Sequence, residues 1–197
     1  MRKARFALLT LLLSFNLYAN FLINDHLISP KASDYINKMG SELKQKTNIN
    51  GYIVATNDKL ERGVSVYDYI NKYSSSLSKP FVAIIFAPNS QRIHLIAKPK
   101  ELLNGLDKGE ILDNAIKIIA SKDSNSKQSK YDVGLVQAYS EMADEIAKVK
   151  GVKLDSTIKA GGSWVLKIVN TLIIVGSIVV IWLFFIAPFI RKLKAKS

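Results

Sequence analysis

Three acidic residues, Asp107, Glu110 and Asp113, are the side chains whose types and spacing most suggest chemistry. Carboxylate oxygens are the ligands that Ca²⁺ and Mg²⁺ prefer, so this group could bind either ion. The same spacing also predicts helix capping, with Asp107 as the N-cap and Glu110 three residues later. Acidic side chains in a first helical turn are stabilised by the helix dipole. Since the chain lacks the spacing of an EF-hand loop, capping is the favoured interpretation and a metal site is the alternative.

The chain has two histidines and no cysteine. The lack of cysteine excludes cysteine nucleophiles, iron–sulfur clusters and cysteine zinc sites. Asp25 and His26 could act as an acid–base pair, although an exposed polar turn is the favoured interpretation. His94 alternates with Ile93 and Leu95 in the predicted return strand, which predicts that it faces solvent or the edge of a helix; an ordinary surface position on the strand is the favoured interpretation. Lys98 and Lys100 could hold a phosphate or an acidic partner, although a solvated loop is favoured.

Apolar segments of different length lie at the two ends of the chain. Residues 6–15 follow three basic residues and precede Ala19, a pattern typical of a secretory signal peptide; an uncleaved signal anchor is the alternative. Residues 168–190 are 23 residues without a charge, enough to cross a hydrocarbon layer of ~30 Å at ~1.5 Å per residue. We therefore predict a transmembrane helix, anchored in the lipid bilayer by Ile168, Trp182, Phe185 and Ile190; a buried core helix is the alternative.

A basic tail follows this segment and carries Arg191, Lys192, Lys194 and Lys196. Basic residues also precede the segment, so charge alone does not fix the orientation. The signal peptide does fix it, because it sends the domain that follows across the membrane. We expect a single-pass protein of the cytoplasmic (inner) membrane, with its domain on the periplasmic, extracytoplasmic side.

The net charge of +12 is largely a consequence of this topology. Eight of the 28 Lys and Arg residues lie in the signal segment, the tail and at Lys167, which leaves 20 against 16 Asp and Glu in residues 20–165. These basic residues are scattered, and so mild an excess does not favour nucleic acid as a partner.

The hydrophobic pattern between the two ends alternates helices with short apolar strands. Helices are predicted from Ser29 to Asn48, from Val66 to Leu77, from Asp107 onward and over 132–150. Strands are predicted at 52–56, 81–87 and 92–97, with a further one at 21–24. Residues 81–87 are continuously apolar, which is typical of a central strand covered on both faces. The fold class is therefore α/β with an α+β-like character: a mixed sheet of about four strands with helices packed on it.

The chain divides into five segments by these criteria. They are a signal peptide (1–19), an exported domain (20–151), a linker (152–167), the transmembrane helix (168–190) and a basic cytoplasmic tail (191–197). The Ser-rich and Lys-rich stretch 121–130 is expected to be a polar loop within the domain.

Several of these segments resemble the TPM-domain family, the thylakoid-lumen-phosphatase-like proteins that occur as exported, membrane-tethered domains. Asn24-Asp25 followed by Leu27-Ile28-Ser29 resembles the family's opening before its first helix. Residues 79–116 resemble its strand, tight turn, basic-apolar return strand and Asp-capped helix. Tyr131-Asp132-Val133-Gly134-Leu135 resembles the opening of its last helix. The turn at Ala97–Lys100 lacks the glycines that the family usually has there.

The resemblance marks Asp107 as a family acidic position and adds Asp132 to the candidate metal ligands. It implies an interaction or accessory factor in the assembly, quality control or repair of a membrane protein complex, with another membrane protein as partner. A metal-dependent phosphatase, and a small subunit of an envelope machine, are the alternatives. No catalytic residue is identified, and the sequence does not favour a small-molecule substrate.

Overall fold

The computed structural model describes residues 20–61, 63–158 and 182. The backbone divides into two compact units, Met1–Lys159 and Ala160–Ser197. All the helices and strands named here belong to the first. The strands are β1 (Leu22–Asn24), β2 (Asn50–Ala55), β3 (Phe81–Ala87) and β4 (Arg92–Lys98); the helices are α1 (Pro30–Thr47), α2 (Val66–Asn71), α3 (Lys108–Ile119) and α4 (Lys127–Val149). Short 3₁₀ turns occupy Pro88–Ser90 and Lys100–Leu103.

The four strands form one mixed sheet in the order β1-β2-β3-β4. The first three strands are parallel, and β4 runs antiparallel to β3 as the return strand of a hairpin. Every residue of β3 is buried, as its continuous apolar sequence predicts. The predicted mixed sheet with packed helices is therefore confirmed, including the strand near residues 21–24.

Helix α1 begins where the sequence places it. The Ser29 hydroxyl accepts a hydrogen bond from the Ala32 backbone N–H, and Pro30 takes the first helical position, where its missing N–H costs nothing. The helix ends at Asn48, which adopts a left-handed conformation that asparagine tolerates better than most residues. Its buried side chains, Ala32, Ile36, Met39 and Leu43, lie on one face and join the core shared by the sheet and α4.

Two helix boundaries differ from the prediction. Helix α2 ends at Asn71 rather than near Leu77, and the chain continues in turns, with the Ser74 N–H bonded to the Asn71 carbonyl. Serine hydroxyls compete for backbone hydrogen bonds, which weakens a helix through a Ser-rich stretch. Helix α4 begins at Lys127, inside the predicted loop, because Ser126 caps it by accepting from the Ser129 N–H.

The chain beyond α4 packs back onto the domain. Leu154 is buried, and Glu42 accepts hydrogen bonds from the backbone N–H groups of Asp155 and Ser156, both at 2.8 Å. The first part of the predicted linker, residues 152–158, therefore lies against α1 and α4; residues 159–167 lie outside the described residues.

No described helix combines the length and apolar character that a membrane crossing needs. The predicted signal peptide at 1–19 and basic tail at 191–197 lie outside the described residues. So does the predicted transmembrane helix at 168–190, apart from Trp182.

Candidate functional site

An open groove of about 950 Å³ lies where β3 passes into β4 and where α3 and α4 meet. Its apolar lining comes from separate parts of the chain: Val64, Val66, Phe86, Ile93, Ile116, Ile119 and Tyr131. Within this lining, the rings of Phe86 and Tyr131 meet edge to face with their centres 4.9 Å apart, an arrangement that aromatic quadrupoles favour. This contact joins the end of β3 to the first turns of α4.

Two apolar side chains of the lining are exposed to solvent. Ile116 on α3 is 43% exposed and Val64, just before α2, is 42% exposed. Single exposed apolar residues are ordinary on protein surfaces, but apolar residues that converge on one concavity are typical of an interaction site.

Basic side chains share the groove with this apolar surface. Arg92, Lys127 and Lys130 line it, and none of its lining residues is acidic. The Lys130 ammonium lies 3.2 Å from the Asp123 carboxylate and donates to the Ser121 carbonyl at 2.7 Å, so its charge is compensated. Arg92 and Lys127 form no ion pair with any residue that the structure describes. The groove therefore presents two uncompensated positive charges beside an apolar surface.

His94 also lines the groove and is half-buried. Burial lowers the pKa of its imidazole below 6.5, and the positive charge of Arg92 lowers it further. The sequence predicted that His94 faces solvent or the edge of a helix, and the tertiary structure places it half-buried in the lining of the groove together with Arg92.

The β3–β4 hairpin sets the geometry of this site. Pro88–Ser90 forms a single 3₁₀ turn, and Gln91 follows in a left-handed conformation with φ of 51°. Its backbone N–H donates to the Pro88 carbonyl at 3.0 Å. This tight reversal brings Arg92, Ile93 and His94 directly beside the end of β3.

Asp132 is not brought together with the other acidic residues that the sequence singled out. The Asp107 carboxylate accepts the Glu110 N–H at 3.0 Å and caps α3, as the capping interpretation predicts. Glu110 and Asp113 are exposed on the same helix.

Asp132 lies elsewhere, near the start of α4, where it accepts the Ser29 backbone N–H at 2.9 Å and the Gln128 amide at 3.0 Å. Asp107 instead meets Glu145, whose carboxylate lies 3.5 Å from the Asp107 backbone nitrogen. Asp132 and Glu145 are 13 residues apart on one helix, which is about 20 Å at ~1.5 Å per residue. Within the described residues no group of three or more His, Cys, Asp or Glu is placed to hold a metal ion.

Asp25, which the sequence singled out with His26, belongs to a polar cluster at the carboxyl ends of β1 and β2, and sequence reasoning missed its partners there. Asp25 accepts the Thr56 hydroxyl at 2.7 Å and the Asn57 N–H at 2.9 Å. His26, beside it, is exposed in a left-handed conformation with φ of 61°. Asp25 therefore links the chain that follows β1 to the chain that follows β2 through hydrogen bonds. Polar residues placed immediately after parallel strands were the available signal, because such strand ends meet at one edge of a sheet.

Asp58 extends this cluster. It accepts hydrogen bonds from the Lys72 ammonium at 2.7 Å and the Tyr69 phenol at 3.0 Å, and the former bond is the main reason that the pKa of Asp58 is lowered. Tyr69 in turn lies 3.0 Å from the Tyr73 phenol, and burial raises its pKa. Because the polar groups of the cluster are hydrogen-bonded to one another, the cluster stabilises the loops around α2.

Lys98 and Lys100 do not form a common anion site. The Lys98 ammonium donates to the Asn71 side chain. The Lys100 ammonium lies 4.5 Å from the centre of the Tyr67 ring, a cation–π distance. Both lysines thus contact α2, and neither lines the groove.

No family model matches the chain, and no curated protein matches it. Among solved structures, the chain is similar to the BA42 protein of the psychrophilic bacterium Bizionia argentinensis, determined by NMR. The two share 16% sequence identity over 70% of this chain and 97% of that chain, with a TM-score of 0.40. The protein's own structure defines an α+β domain with a mixed four-stranded sheet and a groove lined by apolar and basic residues.

Proposed function

We propose that this protein is an exported, membrane-anchored accessory factor of the TPM type. In this proposal it docks onto another membrane protein and assists the assembly, quality control or repair of the complex to which that protein belongs. The groove between the β3–β4 hairpin, α3 and α4 is the docking surface. The signal peptide and transmembrane helix predicted from the sequence would hold the domain at the extracytoplasmic face of the inner membrane.

The composition of the groove is the observation that carries this proposal. Protein interfaces combine an apolar centre with a polar rim, and they are enriched in aromatic residues and arginine. The groove has such a centre in Ile93, Ile116 and Tyr131, with Arg92 and Lys127 beside it. Solvent-exposed apolar side chains gain free energy when a partner covers them, at roughly 25 cal/mol per Å².

Photo-crosslinking of the full chain in its own membranes tests the proposal. A benzophenone amino acid at Ile116 reports on the groove, and the same residue at Tyr35 is the matched control. The two positions are 43% and 39% exposed, both lie on helices, and Tyr35 does not line the groove. We expect Ile116 to yield an adduct with one membrane protein and Tyr35 to yield none. Equal adducts at both positions, or none at Ile116, would overturn the proposal.

A pair of charge insertions checks that the adduct depends on the surface. Ile116→Asp places a carboxylate in the groove, while Val149→Asp places one at a comparable position away from it. Both residues lie near the ends of their helices and are exposed, so any helix-dipole penalty is similar. With the crosslinker moved to Val64, we expect Ile116→Asp to reduce the adduct and Val149→Asp to leave it unchanged.

A further inference from the structure

Strand β4 is an edge of the described sheet, because it pairs with β3 on one side only. The hydrogen bonds fix which of its backbone groups face outward. The Asn50 N–H donates to the Pro80 carbonyl and the Thr56 N–H to the Phe86 carbonyl. In β3 the even-numbered residues therefore bond to β2 and the odd-numbered residues to β4.

The antiparallel register carries this alternation into β4. Ile85 is opposite His94, and Ala83 is opposite Ile96, so the even-numbered residues of β4 bond to β3. Ile93 and Leu95 consequently direct their N–H and C=O groups away from the sheet. Leu95 is buried, whereas Ile93 is only partly buried and lines the groove. The open part of the edge is therefore the stretch around Ile93.

The groove reaches around this edge to both faces of the sheet. Ile93 is opposite Phe86 in the register and shares its face, which meets Tyr131 of α4. Successive side chains of a strand point to opposite faces, so Arg92 and His94 project from the other face, and both also line the groove. An occupant lying along the edge would meet apolar residues on one face and Arg92 with His94 on the other.

We propose that the groove receives an extended acidic segment of the partner protein, which adds a fifth strand beside Ile93 of β4. This inference rests on the proposed docking function and specifies what docks. An added strand would satisfy the outward N–H and C=O of Ile93, as in other cases of strand addition to a sheet edge. Its side chains would alternate, apolar residues meeting the partly buried Ile93 and Tyr131, and acidic residues meeting Arg92.

Charge is the reason for an acidic occupant. Two uncompensated cations, Arg92 and Lys127, line the groove, and none of its lining residues is acidic. A lysine-rich segment there would bring like charges together, whereas an acidic one would pair with Arg92 and also be attracted by the charge of Lys127 in the same groove.

Binding of labelled octapeptides to the full chain in detergent micelles tests the inference. The probes are an alternating Glu-Val peptide, its Lys-Val analogue, and the Glu-Val peptide N-methylated at alternate residues so that one edge lacks donors. We expect the first to bind roughly tenfold or more tighter than either of the others. Equal affinities for the Glu-Val and Lys-Val peptides would overturn the acidic occupant, and equal affinity for the N-methylated peptide would overturn strand addition.

A charge swap keeps the test independent of folding defects. Lys127→Glu changes the first residue of α4, where a carboxylate suits the helix dipole, so the fold should be retained. We expect this variant to bind the Glu-Val peptide more weakly and the Lys-Val peptide more tightly than the unmodified chain does. Unchanged affinity for both peptides would overturn the role assigned to the basic residues of the groove.

The same measurements separate this inference from the docking proposal. An adduct at Ile116 together with no preference among the three peptides would leave docking intact and overturn the extended acidic segment. Vesicles containing phosphatidylglycerol serve as the alternative ligand. Vesicle binding that Lys127→Glu weakens, without peptide binding, would assign the groove to lipid and overturn the inference.

Discussion

The phenol of Tyr139 donates a hydrogen bond of 2.9 Å to the backbone carbonyl of Gly51, 88 residues earlier in the chain. Tyr139 is fully buried, and Gly51 is buried in β2. The ladder between β1 and β2 begins at Leu22 and Ile53, and the Phe21 N–H is bonded to the Asn37 side chain. Tyr139 thus provides a hydrogen-bond donor for a carbonyl at the end of the sheet.

Tyr139→Phe is expected to reduce the free energy of unfolding by about 1–3 kcal/mol, because it leaves the buried Gly51 carbonyl without this donor. Urea denaturation of the full chain in detergent measures the loss. Tyr35→Phe is the control, since Tyr35 is 39% exposed, and it should change stability by less than about 0.5 kcal/mol. Equal effects of the two substitutions would show that the hydrogen bond contributes nothing.

Glu42 holds the segment that follows α4, and Glu42→Gln should release it. Burial raises the pKa of Glu42, but hydrogen bonds from Lys46, Ser156 and the Asp155 N–H outweigh burial and lower the pKa to about 2. We expect Glu42→Gln to cost about 2 kcal/mol, since hydrogen bonds to a charged acceptor are lost. Protease cleavage within residues 152–158 should become faster.

The stability that Glu42 contributes should depend on pH, because its pKa is lowered in the folded state. A carboxylate whose pKa is lower in the folded state contributes stability above its unfolded pKa of 4.5, and that stability is lost as the pH falls toward about 2. Asp155→Ala removes only an exposed partner of Lys46, so it should cost under about 1 kcal/mol. A comparable cost for both variants would contradict the role given to Glu42.

The carboxylates of Asp107 and Asp132 should behave as separate structural groups. Asp107→Ala removes the N-cap of α3, and we expect a loss of about 1 kcal/mol. Asp132→Ala removes the acceptor of the Ser29 N–H, with an expected loss of about 1–2 kcal/mol. Because the two lie far apart, the double variant should show additive losses in thermal unfolding. A stabilisation by Ca²⁺ that either substitution abolishes would contradict this separation.

His94 should make the domain less stable in mild acid. Its pKa is lowered by burial and by Arg92, so the folded state binds the proton more weakly than the unfolded state. Its contribution is present above the unfolded pKa of 6.5 and decreases as the pH falls below it.

The midpoint of thermal unfolding at about pH 7 and about pH 5 measures this effect. His94→Gln should reduce the difference between the two midpoints. Arg92→Gln should reduce it only in part, because the burial of His94 remains. An unchanged difference in His94→Gln would contradict the assignment.

Local sequence patterns were sufficient to predict features that depend only on neighbouring residues, such as helix caps and buried strands. Ser29 with Pro30 predicted the start of α1, and Asp107 predicted the cap of α3, because capping depends on residues within one turn. The apolar run at 81–87 predicted a strand covered on both faces. The early start of α4 at Lys127 was missed, since its polar first turn has no apolar periodicity and only Ser126 marks it.

The candidate site depended on contacts that no local pattern carries. Asp132 looked like a ligand partner of Asp107, yet it bonds Ser29 across 103 residues. Asp25 was predicted to lie in a polar turn. It also accepts a hydrogen bond from the Thr56 hydroxyl, because parallel strands bring their carboxyl ends together. His94 was predicted to face solvent or the edge of a helix, and only the folded structure shows that it lines the groove.

The sequence by itself determined the order of the helices and strands, the mixed sheet and the caps, because each follows from the periodicity and chemistry of neighbouring residues. The tertiary structure alone decided the groove. Val64, Ile93, Ile116 and Tyr131 come from four separate segments of the chain. Their convergence depends on the sheet order and on how α3 and α4 pack against β4, which are long-range relationships that local sequence does not encode.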